Sequence, residues 1–197
     1  MNPDHFAFPD LMVDIETMGT RSYSAIVAIG AVYFDISTGK TGAQSFITID
    51  LQSCLDHGLV VDAGTIEWWF KQGSARKVVF PEYPRLKLKH ALEFFSQTFF
   101  PHDNIRVWGN SAAFDLGILA NAFEKVGLDV PWEYWQERCV RTLAGLDKEV
   151  KERTEFQGVP HHPIDDCKHQ IKYCSDIYRK IIKNNENLYV FEKPVSQ

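Results

Sequence analysis

The stretch that decides the fold runs from residue 11 to residue 35 and reads LMVDIETMGTRSYSAIVAIGAVYFD. Two apolar runs, at residues 11–15 and 25–35, predict buried strands, because both are rich in β-branched or aromatic side chains and polar residues separate them. After a turn at residues 37–40, residues 44–50 alternate between apolar and polar side chains as a third strand would. Three consecutive strands with short connections predict an antiparallel meander.

Helices and strands alternate through the rest of the chain. Apolar residues recur at a four-three-four spacing from Leu88 to Phe99, as they do on one face of a helix. Similar patterns predict helices at residues 65–72, 86–100, 114–126 and 164–187, and short strands at residues 105–108 and 139–142. A meander followed by strands that alternate with helices predicts an α/β fold, with a central mixed five-stranded sheet (the antiparallel meander, then parallel strands) flanked by helices.

The composition is that of a globular protein. Of the 197 residues, 45% are hydrophobic and 24% are charged, so we expect a single domain over residues 1–197 rather than a disordered or collagen-like chain. Charged residues interrupt every apolar stretch, and residues 1–10 do not resemble a signal peptide, so we expect no membrane association and a cytoplasmic location. The four cysteines form no C-x-x-C pair and no zinc-like spacing, which favours reduced thiols.

The net charge does not by itself indicate a protein that binds nucleic acid. The chain carries 21 Lys and Arg residues against 26 Asp and Glu residues, a net charge of −5, whereas nucleic-acid-binding domains are typically basic. A metal site would change this comparison, because bound cations neutralise the carboxylates that hold them.

The first candidate site is the pair Asp14 and Glu16. Residues two apart in a strand point to the same face, so these two carboxylates lie side by side while Ile15 faces the other way. They are consistent with a solvated strand end, or with a pair held together by divalent cations, which prefer hard oxygen ligands.

The second candidate site is the segment WGNSAAFD, residues 108–115, between the predicted fourth strand and its helix. Ser111 can cap the helix, and Asp115 is favourable in a first helical turn for electrostatic reasons alone. Junctions between strands and helices are also where α/β sheets place functional groups, so Asp115 is a candidate ligand.

The third candidate site is HHPIDD, residues 161–166, at the start of the last predicted helix. Asp165 and Asp166 can simply complement the positive end of that helix. At 100° per residue, Asp166 lies about 105° from the centre of the apolar stripe and Asp165 about 155°. Asp166 is therefore the one expected to reach a site.

Taken together, the three segments resemble the motifs of the DEDDh group of DnaQ-like 3′–5′ exonucleases, which have a ribonuclease-H-like fold. Asp14 and Glu16 match the first motif, and NSAAFD, from Asn110 to Asp115, matches the second. The third motif, a histidine followed by four residues and an aspartate, is matched by His161 and Asp166, because His162 would leave only three residues between. The stretches DIETMGTRSYSAIVAIGAVYFD and TIEWWFKQ are most similar to the small DexA-like exoribonucleases, some of which are labelled exonuclease VIII.

The resemblance implies one DEDDh exonuclease domain that hydrolyses single-stranded ends to nucleoside 5′-monophosphates by a two-metal mechanism, with RNA slightly favoured over DNA. Two Mg²⁺ ions, which Mn²⁺ can replace, would be held by Asp14, Glu16, Asp115 and Asp166. His161 would act as a general base, since its ordinary pKa lies near neutrality. Related enzymes often form homodimers.

Candidates for contact with the terminal nucleotide are side chains close to these motifs, because bases stack on apolar or aromatic groups. They are Thr17, Met18, Gly19, Trp69 and Asn110. Adjacent Trp68 and Trp69 point about 100° apart on a helix, so one of them is expected to lie in the core. Cations available to attract phosphates are Lys71, Arg76, Lys77, Lys168, Lys172, Arg179 and Lys183, whereas Arg141 and residues 147–153 are interpreted as solvated surface.

Three alternatives stay open at this point. The first is a single-stranded DNA 3′–5′ exonuclease, since the two sugars differ by one hydroxyl. The second is another ribonuclease-H-like hydrolase such as an endonuclease, which would not need His161. The third is a catalytically silent nucleic-acid-binding module on the same fold, which would be expected to have lost at least one of the five motif side chains.

Overall fold

The computed structural model describes residues 8–101 and 104–189, with side chains through residue 184. The two ends of the predicted single domain, residues 1–7 and 190–197, lie outside this part of the chain. Five strands form one sheet: β1 (Asp10–Thr17), β2 (Ile26–Phe34), β3 (Thr41–Thr48), β4 (Arg106–Gly109) and β5 (Glu137–Cys139). Their order is β3-β2-β1-β4-β5, antiparallel between the first three and parallel from β1 through β4 to β5. The predicted mixed sheet is confirmed.

Eight α-helices accompany the sheet among the described residues. They are α1 (Leu51–Asp56), α2 (Ala63–Phe70), α3 (Gly73–Val79), α4 (Leu88–Phe99), α5 (Gly117–Lys125), α6 (Val140–Ala144), α7 (Lys148–Arg153) and α8 (Pro163–Tyr189). The predicted strand at residues 139–142 was wrong in its placement: the strand ends at Cys139, and α6 occupies the next residues. The predicted helix at residues 114–126 begins earlier, with a π-helical turn (Ala112–Leu116) before α5. No helix within the described ranges is long and apolar enough to cross a bilayer.

Strand β1 is buried on both faces, and its alternation assigns each side chain to one of two layers. Leu11, Val13 and Ile15 pack into the core beneath α4 and α5, whereas Met12 packs into the core beneath α8. Asp14 and Glu16 share the face of Met12, so the alternation directs both carboxylates toward α8.

The first turn of α8 can approach the sheet closely because one strand residue lacks a side chain. Gly30 of β2 pairs with Asp14 of β1 and lies beneath the first turn of α8. A Cβ at position 30 would lie 2.5 Å from Cβ of Pro163 and 2.9 Å from the backbone nitrogen of Ile164. The glycine therefore sets how closely the start of α8 approaches the carboxylates of β1.

The substitution Gly30→Ala is expected to force α8 away from the sheet and to lower the free energy of unfolding by about 1–3 kcal/mol, as overpacking of a tight core does. The matched control is Gly73→Ala in the first turn of α3, where a Cβ meets nothing within 4 Å. Chemical denaturation of both variants and the wild type gives the comparison. Equal stability of the two variants would show that the contact at Gly30 does not position α8.

Candidate active site

The two carboxylates of β1 lie at the bottom of a recess that opens on the α8 side of the sheet. Asp14 and Glu16 are each only 8% exposed. Asp14 Oδ1 accepts a hydrogen bond of 2.9 Å from Nε2 of Gln170, a buried residue of α8. Both acids lie on one face of β1, as the sequence predicts. Their side chains point toward α8 rather than into open solvent.

Asp115 reaches the same recess from the π-helical turn that follows β4. The turn admits one extra residue between the strand and α5, and such turns recur at functional sites. The backbone N–H of Ser111 donates to Asp115 Oδ2 at 3.0 Å. Gly109, the last residue of β4, leaves room for the carboxylate, since a Cβ there would lie 3.0 Å from Cβ of Asp115.

The loop before α8 and the first turn of that helix supply the third motif. Asp165 turns back to the loop, where its Oδ2 accepts a hydrogen bond of 2.9 Å from the backbone N–H of Val159. Asp166 instead lines the recess, in agreement with the helical geometry that separated the two acids. Asp165 is therefore a structural residue of the loop, and Asp166 belongs to the candidate site.

His161 enters the recess in a strained backbone conformation. Its φ of 63° makes it the one non-glycine residue in the left-handed region among the described residues, and strain of this kind clusters at functional sites. Its Nδ1 lies 3.9 Å from Glu16 Oε1, and its ring contacts Trp68 edge-on at 4.8 Å between centroids. His162 instead stacks on Phe46 at 5.0 Å. The structure thus brings His161, not His162, into the recess.

We call this space the carboxylate recess; its volume is about 450 Å³, and Asp14, Glu16, Asp115, His161 and Asp166 all line it. Potential ligand atoms of Glu16, His161 and Asp166 lie within 4.8 Å of one another. The carboxylate oxygens of Glu16 and Asp166 are the hard donors that a divalent cation prefers, and His161 brings a ring nitrogen beside them.

Confinement makes the four carboxyl groups hard to ionise. Burial, followed by the charges of Asp115 and Asp166, raises the pKa of Asp14 well above its ordinary value. Burial, followed by the charge of Asp14, raises the pKa of Glu16 to about 10. In the protein without metal, protons would occupy part of the site, and a divalent cation would displace them.

The other two acids have smaller shifts. Burial raises the pKa of Asp115 to about 6, opposed by backbone donors, Ser111 first, and then by the charge of Arg141. Burial also raises the pKa of Asp166 to about 6. For His161, burial lowers the pKa, so the imidazole is neutral at neutral pH and free to accept a proton.

The exposure of the two tryptophans differs from the expectation that Trp69 stacks on a base. Trp69 is only 3% exposed, and its Nε1 donates a hydrogen bond of 3.0 Å to the carbonyl oxygen of Thr17. Trp68 is 38% exposed and lines a second space of about 400 Å³ between α2 and the end of β1, here called the α2 recess. Trp68 is therefore the tryptophan available to a ligand, because the face of α2 that meets β1 carries Trp69.

Of the remaining predicted contact residues, Thr17, Gly19 and Asn110 line these two spaces and Met18 lines neither. Met18 is 5% exposed and packs in the core, so it has little surface to offer a base. Thr17 donates from Oγ1 to the carbonyl oxygen of Gly19 at 2.6 Å, and both residues line the α2 recess. Asn110 lines the carboxylate recess.

Sequence reasoning missed several side chains of the carboxylate recess. They are Phe114, Arg141, Lys151, His169 and Gln170. A signal for Gln170 was present, because it follows Asp166 by four positions and so lies on the same face of α8. Arg141 and Lys151 are exposed, as the sequence predicts, and the tertiary fold brings them beside the acids.

Three comparisons with known proteins relate this chain to exonucleases. The family model described as the Rv2179c-like 3'-5' exoribonuclease domain matches residues 9–178. The exodeoxyribonuclease of Enterobacteria phage T4 is 26% identical over 191 residues, which cover 80% of this chain and 84% of the phage protein.

Solved structures share the fold at low sequence identity. Pop2p of S. pombe, in its Mg²⁺- and Mn²⁺-bound form, has a TM-score of 0.62 at 13% identity and covers 89% of this chain and 85% of its own. Exonuclease I of E. coli, in a complex with single-stranded DNA, has a TM-score of 0.60 at 14% identity. The match covers 92% of this chain but only 42% of exonuclease I. The sheet and its helices are therefore ribonuclease-H-like.

The pKa of Asp166 predicts how stability depends on pH without metal. A carboxyl group whose pKa is raised to about 6 stabilises the fold below its ordinary pKa of 3.8 and loses that contribution as the pH rises through 6. In EDTA, Asp166→Asn should therefore raise the melting temperature at pH 8 by about 2–4 °C, about 1 kcal/mol after allowance for partial exposure, and by about half as much at pH 5. Thermal denaturation at both pH values tests this, with exposed Asp129→Asn as the control for loss of one charge. An equal effect of Asp166→Asn at both pH values would contradict it.

Proposed function

Since the chain belongs to the Rv2179c-like 3'-5' exoribonuclease domain family, whose model covers residues 9–178, we propose that it is a metal-dependent exonuclease acting on single-stranded 3′ ends and releasing nucleoside 5′-monophosphates. The observation that carries the proposal is the convergence of four carboxyl groups and one neutral histidine in a single recess. Neither a solvated strand end nor ordinary helix capping accounts for this convergence, because all of these groups point into one confined space.

We propose that Asp14, Glu16, Asp115 and Asp166 hold two divalent cations, Mg²⁺ or in its place Mn²⁺. When bound, such ions supply an activated water and stabilise negative charge on the attacking and leaving oxygens of a phosphodiester. Support comes from the raised pKa values of the four acids, which a cation would relieve, and from Pop2p, which shares the fold and binds both metals.

His161 is the proposed general base. Its imidazole is neutral, and it lies beside Glu16 with its ring held edge-on by Trp68. These contacts keep a ring nitrogen available to accept the proton of the attacking water. The left-handed backbone places the ring over the recess at some cost in strain, as residues that serve chemistry often do.

The terminal nucleoside is proposed to enter the α2 recess, with Trp68 as the stacking surface in place of Trp69. Thr17, Gly19 and Asn110 would contact its sugar or base. Single-stranded substrates are supported by exonuclease I, whose structures hold single-stranded DNA.

RNA is the preferred substrate in this proposal, because the family description names exoribonucleases. The second candidate is a DNA exonuclease, which the similarity to the phage exodeoxyribonuclease favours. Matched RNA and DNA oligonucleotides distinguish the two, since only contacts to the 2′-hydroxyl tell the sugars apart.

Three broader properties belong to the same proposal. We propose that one exonuclease domain spans residues 1–197, that the enzyme acts in the cytoplasm, and that it can form a homodimer. Free thiols at all four cysteines agree with a reducing compartment. The mass of the protein in solution, measured by light scattering, tests the homodimer separately from activity.

The first test of the chemistry uses single-stranded RNA and DNA oligonucleotides labelled at the 5′ end and resolved on a denaturing gel. With Mg²⁺, the wild type should produce a ladder that shortens from the 3′ end. EDTA or Asp14→Ala should abolish the ladder, because the cation-binding carboxylates are then empty or incomplete. Full Mg²⁺-dependent activity of Asp14→Ala would refute the two-metal proposal, and internal cuts would instead indicate an endonuclease.

The roles of the two adjacent histidines can be separated by substitution. His161→Ala should lower kcat by about 10²–10⁴, the usual contribution of general acid–base catalysis. His162→Ala removes a ring that stacks on Phe46 and does not line the carboxylate recess, so kcat per folded molecule should change little. Rates measured with saturating oligonucleotide make the comparison, and the reverse order of effects would assign the third motif to His162.

A further inference from the structure

A third space adjoins the carboxylate recess on the side opposite the α2 recess. This space, the α7 recess, has a volume of about 360 Å³ and lies between α6, α7 and α8. It shares three lining residues with the carboxylate recess, Arg141, Lys151 and His169, so the two open into each other. The α2 recess shares a different set with the carboxylate recess, namely Ile15, Glu16 and Phe114. The three spaces therefore form one groove, with the carboxylates in the middle.

The two ends of this groove differ in charge. Arg141, Lys148 and Lys151 line the α7 recess, opposed by one carboxylate, that of Glu152. Among the described residues that line the α2 recess there is no lysine or arginine, and its acidic residues are Asp62 and Glu16. A polyanion would be attracted to the first end and not to the second.

The cations of the α7 recess are held in place by the same elements that build the site. The backbone N–H of Arg141 donates to the carbonyl oxygen of Asn110 at 3.0 Å, which ties α6 to the second motif. Lys151 Nζ lies 5.7 Å from the centre of the Tyr173 ring of α8. Lys180 of α8 forms an ion pair with Asp147, the residue that caps α7. These contacts fix α6 and α7, the helices that carry Arg141, Lys148 and Lys151, beside the elements that carry the carboxylates.

The two sides of the scissile phosphate differ in charge, as the two ends of the groove do. When a nucleoside 5′-monophosphate is released, the departing unit carries the scissile phosphate and, beyond it, only a neutral sugar with its base. The remaining strand carries one negative charge per nucleotide on the 5′ side of the scissile phosphate, and Lys and Arg side chains bind such charges.

We propose that Arg141, Lys148 and Lys151 bind the backbone phosphates on the 5′ side of the scissile phosphate, so that the strand runs 5′ to 3′ from the α7 recess to the α2 recess. This inference rests on the exonuclease function proposed above and deepens it by assigning the direction of the strand. It also gives a function to residues 147–153, which the sequence alone left as solvated surface.

The first test compares substrates with and without these phosphates. A p-nitrophenyl ester of a nucleoside 5′-monophosphate contains the terminal nucleotide and only one phosphate. A single-stranded oligonucleotide with the same sugar also contains phosphates on the 5′ side of the scissile one. The ratio of kcat/KM for the oligonucleotide to that for the ester should fall about 10- to 100-fold in the double variant Lys148→Ala, Lys151→Ala, mainly through KM, because hydrogen bonds to charged groups are lost. The control Lys89→Ala removes an exposed charge from α4 and should leave the ratio unchanged.

The second test removes a single charge from the strand. A neutral methylphosphonate at the first linkage on the 5′ side of the scissile one should lower kcat/KM of the wild type about 10-fold or more and should have much less effect on the double variant. The salt dependence of oligonucleotide binding should also be weaker in the double variant.

The outcomes separate the two proposals. If the wild type hydrolyses neither substrate with Mg²⁺, the proposed function fails. If the wild type degrades the oligonucleotide but the double variant retains both the rate ratio and the full methylphosphonate effect, only the assignment of the α7 recess is wrong. Should the ester prove a poor substrate, the methylphosphonate comparison alone decides, since it uses oligonucleotides throughout.

Discussion

The confinement of four carboxyl groups in one recess is the constraint on which the rest of the structure depends. Burial and mutual repulsion oppose their ionisation, and the pKa of Glu16, raised to about 10, shows how strongly. A chain would not gather these groups for stability alone, because each ionised acid is worse placed here than in water. The surrounding fold must therefore hold them together against their repulsion until cations arrive.

The sheet provides this restraint mainly through β1, whose residues are buried along its whole length. At its N-terminal end, Asp10 accepts two hydrogen bonds of 2.7 Å from Arg106 and one of 2.8 Å from Trp108 Nε1, both on β4. This paired and satisfied carboxylate fixes β1 to β4, in contrast to Asp14 four residues later. At the other end, the missing side chain of Gly30 lets α8 bring Asp166 and Gln170 onto the same strand. One strand thus carries a structural acid and the two acids proposed above as metal ligands, and their partners distinguish them.

The sequence predicted most of this arrangement wherever a repeating pattern was long enough. The three strands of the meander, helices α4 and α8, and the pairing of Asp14 with Glu16 on one face all follow from periodicity. Strand β5 is three residues long, includes two charged residues and pairs only with β4, so no apolar alternation marks it. Helical spacing predicted that one of two tryptophans is buried but not which one, because that depends on which face of α2 meets β1. The basic end of the groove could not be predicted from the sequence either. Arg141 of α6 and Lys151 of α7 line one space only because both helices pack on α8.

These charges also explain how a protein with a net charge of −5 can accept a polyanion. The charges close to a bound nucleic acid strand matter more than the net charge of the protein, because salt screens charges beyond about 10 Å. In the groove, the acids lie together in the middle, where cations would neutralise them, and the lysines and arginine lie at one end. The opposite end is suited to a group without charge, with an exposed tryptophan and no cation among its described lining residues. The groove is basic at one end and uncharged or acidic at the other. A nucleic acid strand near its 3′ terminus is likewise charged on its 5′ side and ends in a neutral nucleoside. The polarity of cleavage would then follow from the distribution of charge along the groove, and the carboxylates need only determine where the bond is broken.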